Sequence, residues 1–342
     1  MRRLLNTLYV TNPESYLARE GENIVVRIDD QNIFRIPCHN LESIVYFGYP
    51  GASPALLGLC AERGITVTFL TEHGRFLARM EGPQSGNVLL RRRQYRMADN
   101  ENTAPLLAKY FITAKVMNSR AILQRGRRDH PEKVGDDITH SITLMGNLAR
   151  KVFDSKNLDE VRGIEGDTAQ RYFDQIDHLI LEEKDAFYMK GRSRRPPLDR
   201  FNALLSLFYT LLVHECRAAL ESVGLDPAVG FLHRDRPGRP SLALDLMEEM
   251  RAYLGDRMAL SLINRRQVCS QDFVVNSNEA VYLKSDVRKN ILTLWQKRKQ
   301  EEIIHPYLGE KIPIGLLPYV QALLLARFLR GDLDAYPAFI LK

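Results

Sequence analysis

At residue 88 the spacing of apolar side chains changes, and that change constrains the fold more than any other feature of the chain. Before it, β-branched and aromatic runs at residues 4–10, 15–19, 24–28, 33–37, 43–47, 66–70 and 76–80 alternate with turn-forming stretches such as Asn12-Pro13 and Asp29-Asp30-Gln31-Asn32. This is strand patterning punctuated by residues that favour turns. One helix interrupts it at residues 53–63, with Ser53 as cap, Pro54 in the first turn and Gly64 as stop. A loop follows at residues 82–86. From 88 onward apolar residues recur at three- and four-residue intervals, the helical period, over residues 88–97, 104–123, 138–147, 158–181, 201–223, 242–257, 286–299 and 314–329. Residues 269–282 leave room for a small β-hairpin. The pattern predicts an α+β fold: a small β-rich N-terminal domain over residues 1–86, then a larger all-α domain over residues 87–342.

Two domains also suit the length, because 342 residues exceed what one hydrophobic core usually serves. Charge divides at the same place. Residues 1–86 carry 8 Lys+Arg against 9 Asp+Glu, and the remainder carries 40 against 33. A polyanionic partner is therefore expected on the second domain. Its basic segments are residues 91–93, RGRR at 125–128 and GRSRRPP at 191–197. Each alone reads as a solvated face, but three in one domain favour contact with a nucleic-acid backbone. Tyr172, Phe187 and Tyr188 could stack on bases, although aromatics at this spacing are more often core. The cysteines Cys38, Cys60, Cys216 and Cys269 form no metal or redox motif and read as reduced thiols. The N-terminal apolar run stops at Leu5 and the longest internal ones, such as residues 207–213, fall short of a bilayer. A cytoplasmic protein is expected.

The chemistry concentrates in GFLHRDRPGRPSLALDLMEEMR, residues 230–251. Pro237, Gly238 and Pro240 separate His233 from the helix that follows, for which Ser241 is a candidate cap. On that helix Asp245 and Glu248 stand three residues apart and share a face, while Glu249 points elsewhere. Arg234, Arg236, Arg239 and Arg251 flank the group. A second segment, VRGIEGDTAQRYF at 161–173, sets Glu165 between two helical glycines, which suggests close approach by a backbone or a ligand. An imidazole and two or three carboxylates with a cationic rim suit Mn²⁺ or Mg²⁺ with positions left for phosphate oxygens, and suit zinc less well. The competing reading is a buried histidine beside a helix with ordinary surface acids. His178, His214 and His305 have no convincing acidic partner and read as structural, and Asn202 and Ser206 read as ties between helices.

Three segments taken together, GIEG with Tyr172-Phe173, GRSRRPPLDRFNALLSLFYTLL, and GLDPAVGFLHRDRPGRPSLALDLMEEMR, resemble the CRISPR-associated adaptation integrase/endonuclease family (Cas-one) along the full length, and its type I-C version most of all. The resemblance implies a homodimer formed through the N-terminal domain and a helical catalytic and DNA-binding domain. Two such dimers would flank a dimer of a small partner (Cas-two) in a heterohexamer that holds short duplex DNA. It places the metal ligands on Glu165, His233 and Glu248 and a further catalytic acid on Asp245, which would orient a metal-bound water or take the hydroxyl proton. Arg192, Arg194, Arg195, Arg234, Arg236, Arg239 and Arg251 are the candidate DNA contacts. The implied reaction inserts a spacer into the CRISPR array by attack of a 3′-hydroxyl on a phosphodiester, without ATP. Because His233 ligates only when neutral, activity is expected to fall at acidic pH. Two alternatives share these residues: a general metal-dependent nuclease acting on branched DNA, and a non-catalytic DNA-binding scaffold.

Overall fold

In the computed structural model, residues 7–41, 43–71, 76–80, 82, 88–132, 136–189, 191–277 and 279–341 are described. Most of the expected 82–86 loop and the start of the expected 4–10 strand lie outside them. The chain forms two compact units. One comprises Met1–Ser85 with Leu283–Ile303 and Pro313–Leu316, and the other Gly86–Tyr282 with Ile304–Ile312 and Leu317–Lys342.

The strands of the first unit are β1 (Thr7–Val10), β2 (Tyr16–Glu20), β3 (Asn23–Ile28), β4 (Gln31–Pro37), β5 (Ser43–Phe47), β6 (Thr66–Leu70) and β7 (Phe76–Met80). One sheet runs β1-β5-β6-β7, with β1, β5 and β6 parallel and β7 antiparallel; the other is the antiparallel meander β2-β3-β4. Asp29 and Asp30 take φ of 48° and 60° between β3 and β4, as a two-residue hairpin turn requires. Helix α1 (Pro54–Arg63) makes the crossover between β5 and β6. Ser53 caps it by accepting from the Leu56 amide, and Gly64 ends it at φ 67°. Leu17, Ile24, Ile44, Tyr46, Leu56, Cys60 and Val67 form the core. The edge strand β4 instead leaves Ile33 and Phe34 54% and 47% exposed.

The helices that follow are α2 (Val88–Ala98), α3 (Thr103–Asp129), α4 (Asp136–Asp154), α5 (Leu158–Ile176), α6 (Lys184–Phe187), α7 (Arg200–Ser222), α8 (Ser241–Glu248), α9 (Arg257–Asn264), α10 (Ser285–Gln300) and α11 (Leu317–Arg330). Helix α10, expected within the 87–342 domain, clusters with the strand-rich unit. There Gln296 donates to the Thr7 carbonyl at 3.0 Å, Arg288 lies 5.1 Å over the Phe47 ring and Trp295 is fully buried. The strands Phe273–Val275 and Val281–Leu283 pair where the hairpin was expected.

In the second unit α3, α4 and α5 pack on one another, and α7 packs against α8 and α11. Contrary to expectation, α7 is long and apolar enough by length and composition to cross a membrane. It is also a core helix, with Phe201, Leu204, Leu205, Phe208, Leu211, Leu212 and Leu220 buried. Where one helix was expected over 242–257, α8 ends at Glu248, a π-helical segment spans Arg251–Asp256, and α9 follows. The wider turn buries Arg251 and Asp256, the two charged residues at its ends.

Candidate active site

Helix α5 starts on Asn157, whose side chain accepts from the Glu160 amide, while the Glu160 carboxylate accepts from the Lys156 amide. Glu165 stands two turns in. A Cβ built on Gly163 or Gly166 meets no atom within 4 Å, and Gly163 lines a shallow surface cavity. No backbone among the described residues approaches these glycines, so that half of the expectation fails, and this side of α5 is open to a ligand.

His233 belongs to a turn that one buried carboxylate organises. Asp245, fully buried on α8, accepts at Oδ2 from the amides of Phe231 and Leu232 at 2.6 and 3.0 Å. Its Oδ1 accepts from the His233 amide at 3.0 Å and from His233 Nδ1 at 2.6 Å. A carboxylate only accepts, so Nδ1 carries the ring proton and Nε2 keeps its lone pair for a ligand. From α5, Arg162 grips the Leu232 carbonyl with Nε and Nη2 at 3.1 and 2.7 Å. Gly230 is obligatory, since a Cβ there would come within 2.8 Å of Asp245 Oδ2 and 2.9 Å of Ser241 backbone. Ser241 does not cap α8 as expected. It is the first helical residue and its hydroxyl donates to the Arg234 carbonyl, while the Pro227 carbonyl accepts from the Leu242 and Ala243 amides.

Glu248 follows Asp245 on the same face of α8 and is buried. Arg251 Nη1 donates to both its oxygens at 2.7 and 2.8 Å, and the Lys115 ammonium lies 2.9 Å from Oε2. The same ammonium donates to Glu165 Oε1. Two carboxylates from helices far apart in sequence thus converge on one cation. Burial alone would raise the Glu248 carboxyl; Arg251, Lys115 and His233 outweigh it and hold it well below the ordinary carboxylate range. The Glu165 and His233 side chains are 31% and 21% exposed against 5% for Glu248, so the site opens on their side.

Sequence reasoning missed Lys115. It carries no motif, yet it interrupts the buried stripe of α3, among Phe111, Ile112, Ala114, Val116 and Ile122, and a charge in such a stripe demands a partner. Among the described residues no three His, Cys, Asp or Glu side chains are grouped as a ready-made metal site. The donor chemistry nevertheless fits a hard dication: two carboxylates already share a cation, and the His233 imidazole, within electrostatic reach of Glu248, is oriented by a buried carboxylate.

The expected DNA contacts divide. Arg194, Arg195, Arg234 and Arg236 are exposed, and Arg239 is half-buried. Arg251 is buried, spends its guanidinium on Glu248 and lies 4.4 Å over the Tyr209 ring, so its expected place on the DNA-facing rim is corrected. Arg192 is drawn in beside it, 5.2 Å over the same ring. Tyr209 and Tyr172 both donate to Asp256. Of the three aromatics weighed as base-stacking or core, Tyr172 and Phe187 are core, the more common case, and Tyr188 is exposed. Asn202 secures the GRSRR segment rather than a second helix: it accepts from Arg192 at 2.6 Å and donates to the Gly191 carbonyl at 2.8 Å. Buried Ser206 Oγ has no hydrogen-bond partner among the described residues.

The family model described as CRISPR associated protein Cas1 matches residues 8–297. The chain belongs to the Cas1 family. It is 53% identical over 341 residues to a CRISPR-associated endonuclease Cas1 of Chlorobaculum tepidum, covering 99% of both chains. A CRISPR-associated endonuclease Cas1 of Rhodospirillum rubrum is 52% identical over 347 residues, with complete coverage of both. Among solved structures, a casposase bound to integration product superposes with a TM-score of 0.84 at 24% identity, over 98% of this chain and 94% of the other, and shares the fold.

Proposed function

We propose that this Cas1 chain is a metal-dependent DNA integrase of CRISPR adaptation that joins short duplex DNA to the array by transesterification. The observation that carries the reading is the convergence of Glu165 and Glu248 on one cation beside an oriented imidazole. Glu165, His233 and Glu248 would hold Mn²⁺ or Mg²⁺. When bound, such an ion supplies Lewis acidity to the scissile phosphate and makes the attacking 3′-hydroxyl more acidic.

The protein's own groups do the rest. Asp245 fixes the turn and orientation of His233; both its oxygens already accept, which favours positioning over proton transfer. Arg251 holds the Glu248 carboxylate from the protein side. The exposed Arg194, Arg195, Arg234 and Arg236, with Arg239, are suited to phosphate backbones, which they would position without reading sequence. One P–O bond forms to the incoming 3′-oxygen as another breaks, and the proton passes to the displaced 3′-oxygen. No nucleotide hydrolysis is needed.

The homodimer is supported by the exposed Ile33 and Phe34 on the edge strand β4, a surface suited to pairing with a second copy. The small partner Cas-two and the type I-C assignment rest on the resemblance of the three quoted segments.

Because the curated relatives are named endonucleases, hydrolysis by the same ligands is the second reading. Product analysis separates the two. Protein with and without the small partner is given a labelled duplex, a plasmid bearing leader and repeat, and Mn²⁺ or EDTA. Label joined to plasmid only with Mn²⁺, and lost in His233→Ala, is the expected result. Shortened label without joining would replace integration by hydrolysis. Bound DNA with no chemistry in any arm would leave a scaffold.

A further inference from the structure

Glu165 and Glu248 carry two negative charges, and Lys115 and Arg251 bring two positive charges to them, so these four side chains are balanced before any metal arrives. Lys115 is the critical member. Arg251 approaches Glu248 alone, whereas the Lys115 ammonium bridges Glu248 and Glu165, whose carboxylates are the very groups a dication would need. A dication and an ammonium between the same oxygens repel, and in a buried setting that repulsion is poorly screened. Binding the metal therefore requires Lys115 to give up at least one carboxylate. The Lys115 side chain is 8% exposed and enters from a core stripe of α3, so its ammonium needs an acceptor in place of any carboxylate it gives up. A phosphodiester oxygen arriving on the open side would be one.

We propose that Lys115 is a built-in competitor of the metal, which couples metal loading to DNA: the site binds a divalent cation weakly by itself and tightly once a phosphate can take over the lysine. The inference rests on the integrase reading and adds to it an order of assembly. Without DNA the balanced site resists metal and is not left charged. With DNA, the single negative charge of a phosphodiester offsets half of the ion's two positive charges, and the displaced ammonium gains a new partner. Such coupling is reciprocal, so the metal tightens DNA by the same factor. Lys115 is a positioning residue in this scheme, since it acts on the carboxylates before the reaction.

The test titrates Mn²⁺ into full-length protein, following free Mn²⁺ by its solution EPR signal, with and without a short duplex and with duplex alone as reference. Wild type, Lys115→Met and Lys115→Arg are compared. In DNA-free protein Lys115→Met should bind Mn²⁺ about 10-fold more tightly than wild type, and the duplex should then add little. Lys115→Arg, which keeps the charge, should stay weak and duplex-dependent. The inference is overturned if Lys115→Met binds no more tightly, or if the duplex tightens Mn²⁺ equally in wild type and Lys115→Met. Should Lys115→Met fail to fold, Lys115→Gln takes its place, and duplex-independent Mn²⁺ affinity in wild type alone overturns the coupling. Strand joining is measured in parallel. Joined product with unchanged Mn²⁺ affinity in the variant defeats the competitor and leaves the integrase standing. Neither Mn²⁺ binding nor joining by wild type, with or without duplex, defeats both.

Discussion

Glu248 and Glu249 are adjacent, buried and chemically identical, yet the structure gives them opposite surroundings. Glu248 meets two cations, Arg251 and Lys115, on the face of α8 that carries Asp245. Glu249 turns to the other side and, among the described residues, meets neutral donors: the Tyr336 hydroxyl at 2.5 Å, Gln321 Nε2 at 2.7 Å and the Phe339 amide at 2.7 Å. Burial raises Glu249 to about 7, against the lowering by those hydrogen bonds, whereas the cations drive Glu248 far down. Charge pairing marks the carboxylate proposed to hold the metal. Hydrogen-bond satisfaction marks the one that ties down the C-terminal segment, together with Asn118, which donates to the carbonyls of Glu249 and Phe339 at 2.6 and 2.8 Å. Residues 336–341 are thus tied down by buried polar partners.

The contrast can be broken in order of effect. Removing Glu248 strips buried Arg251 of the carboxylate it grips and leaves Lys115 with Glu165 alone, and Glu248→Ala should cost about 3–5 kcal/mol of stability, measured by denaturant unfolding. Adding Lys115→Met and Arg251→Met should recover part of that loss. If the triple variant is no more stable than Glu248→Ala, the cations are not what Glu248 restrains. Glu249→Ala strands neutral donors only and should cost less, about 1–3 kcal/mol. A cost equal to that of Glu248→Ala would erase the distinction. Asp245→Asn turns an amide towards backbone N–H groups and loosens the imidazole, so Mn²⁺ affinity should fall about 10–100-fold with little change in DNA affinity. Unchanged Mn²⁺ affinity would remove Asp245 from the positioning of His233.

The smallest effect concerns acid. His305 is buried, its Nε2 donating to Gln321 at 2.9 Å and its Nδ1 accepting from the Leu308 amide, so both nitrogens are committed in the neutral form. Burial lowers its pKa below the ordinary 6.5. The unfolded chain therefore takes up this proton first, and the stability His305 contributes is complete above 6.5 and declines as pH falls through the folded pKa. Melting temperatures of wild type minus His305→Gln should shrink from pH 8 towards pH 5. A difference independent of pH would show that His305 does not titrate on unfolding.

Features set by neighbouring residues were legible in the sequence. Ser53, Pro54 and Gly64 delimit α1, Asp29-Asp30 makes the hairpin, and the three-residue spacing of Asp245 and Glu248 puts both on one face of α8. The proline-rich turn likewise announced that His233 precedes the helix. Features created by packing were not legible. Lys115 reaches the site from α3 only because α3 packs on α5 and α8. The π-helical segment exists to bury Arg251 and Asp256 around Tyr209, an arrangement no local spacing encodes. Arg251 looked like a rim arginine for the same reason, and α10 joins the strand-rich unit through contacts with residues far upstream.

The most direct measurement sets Glu248→Gln against Glu249→Gln in the strand-joining assay, both folded to the same extent, in Mn²⁺ and in EDTA. Glu249→Gln should join label to plasmid in Mn²⁺, Glu248→Gln should not, and EDTA should silence both. Joining by Glu248→Gln at the wild-type level would contradict the assignment of Glu165, His233 and Glu248 as the metal-holding site.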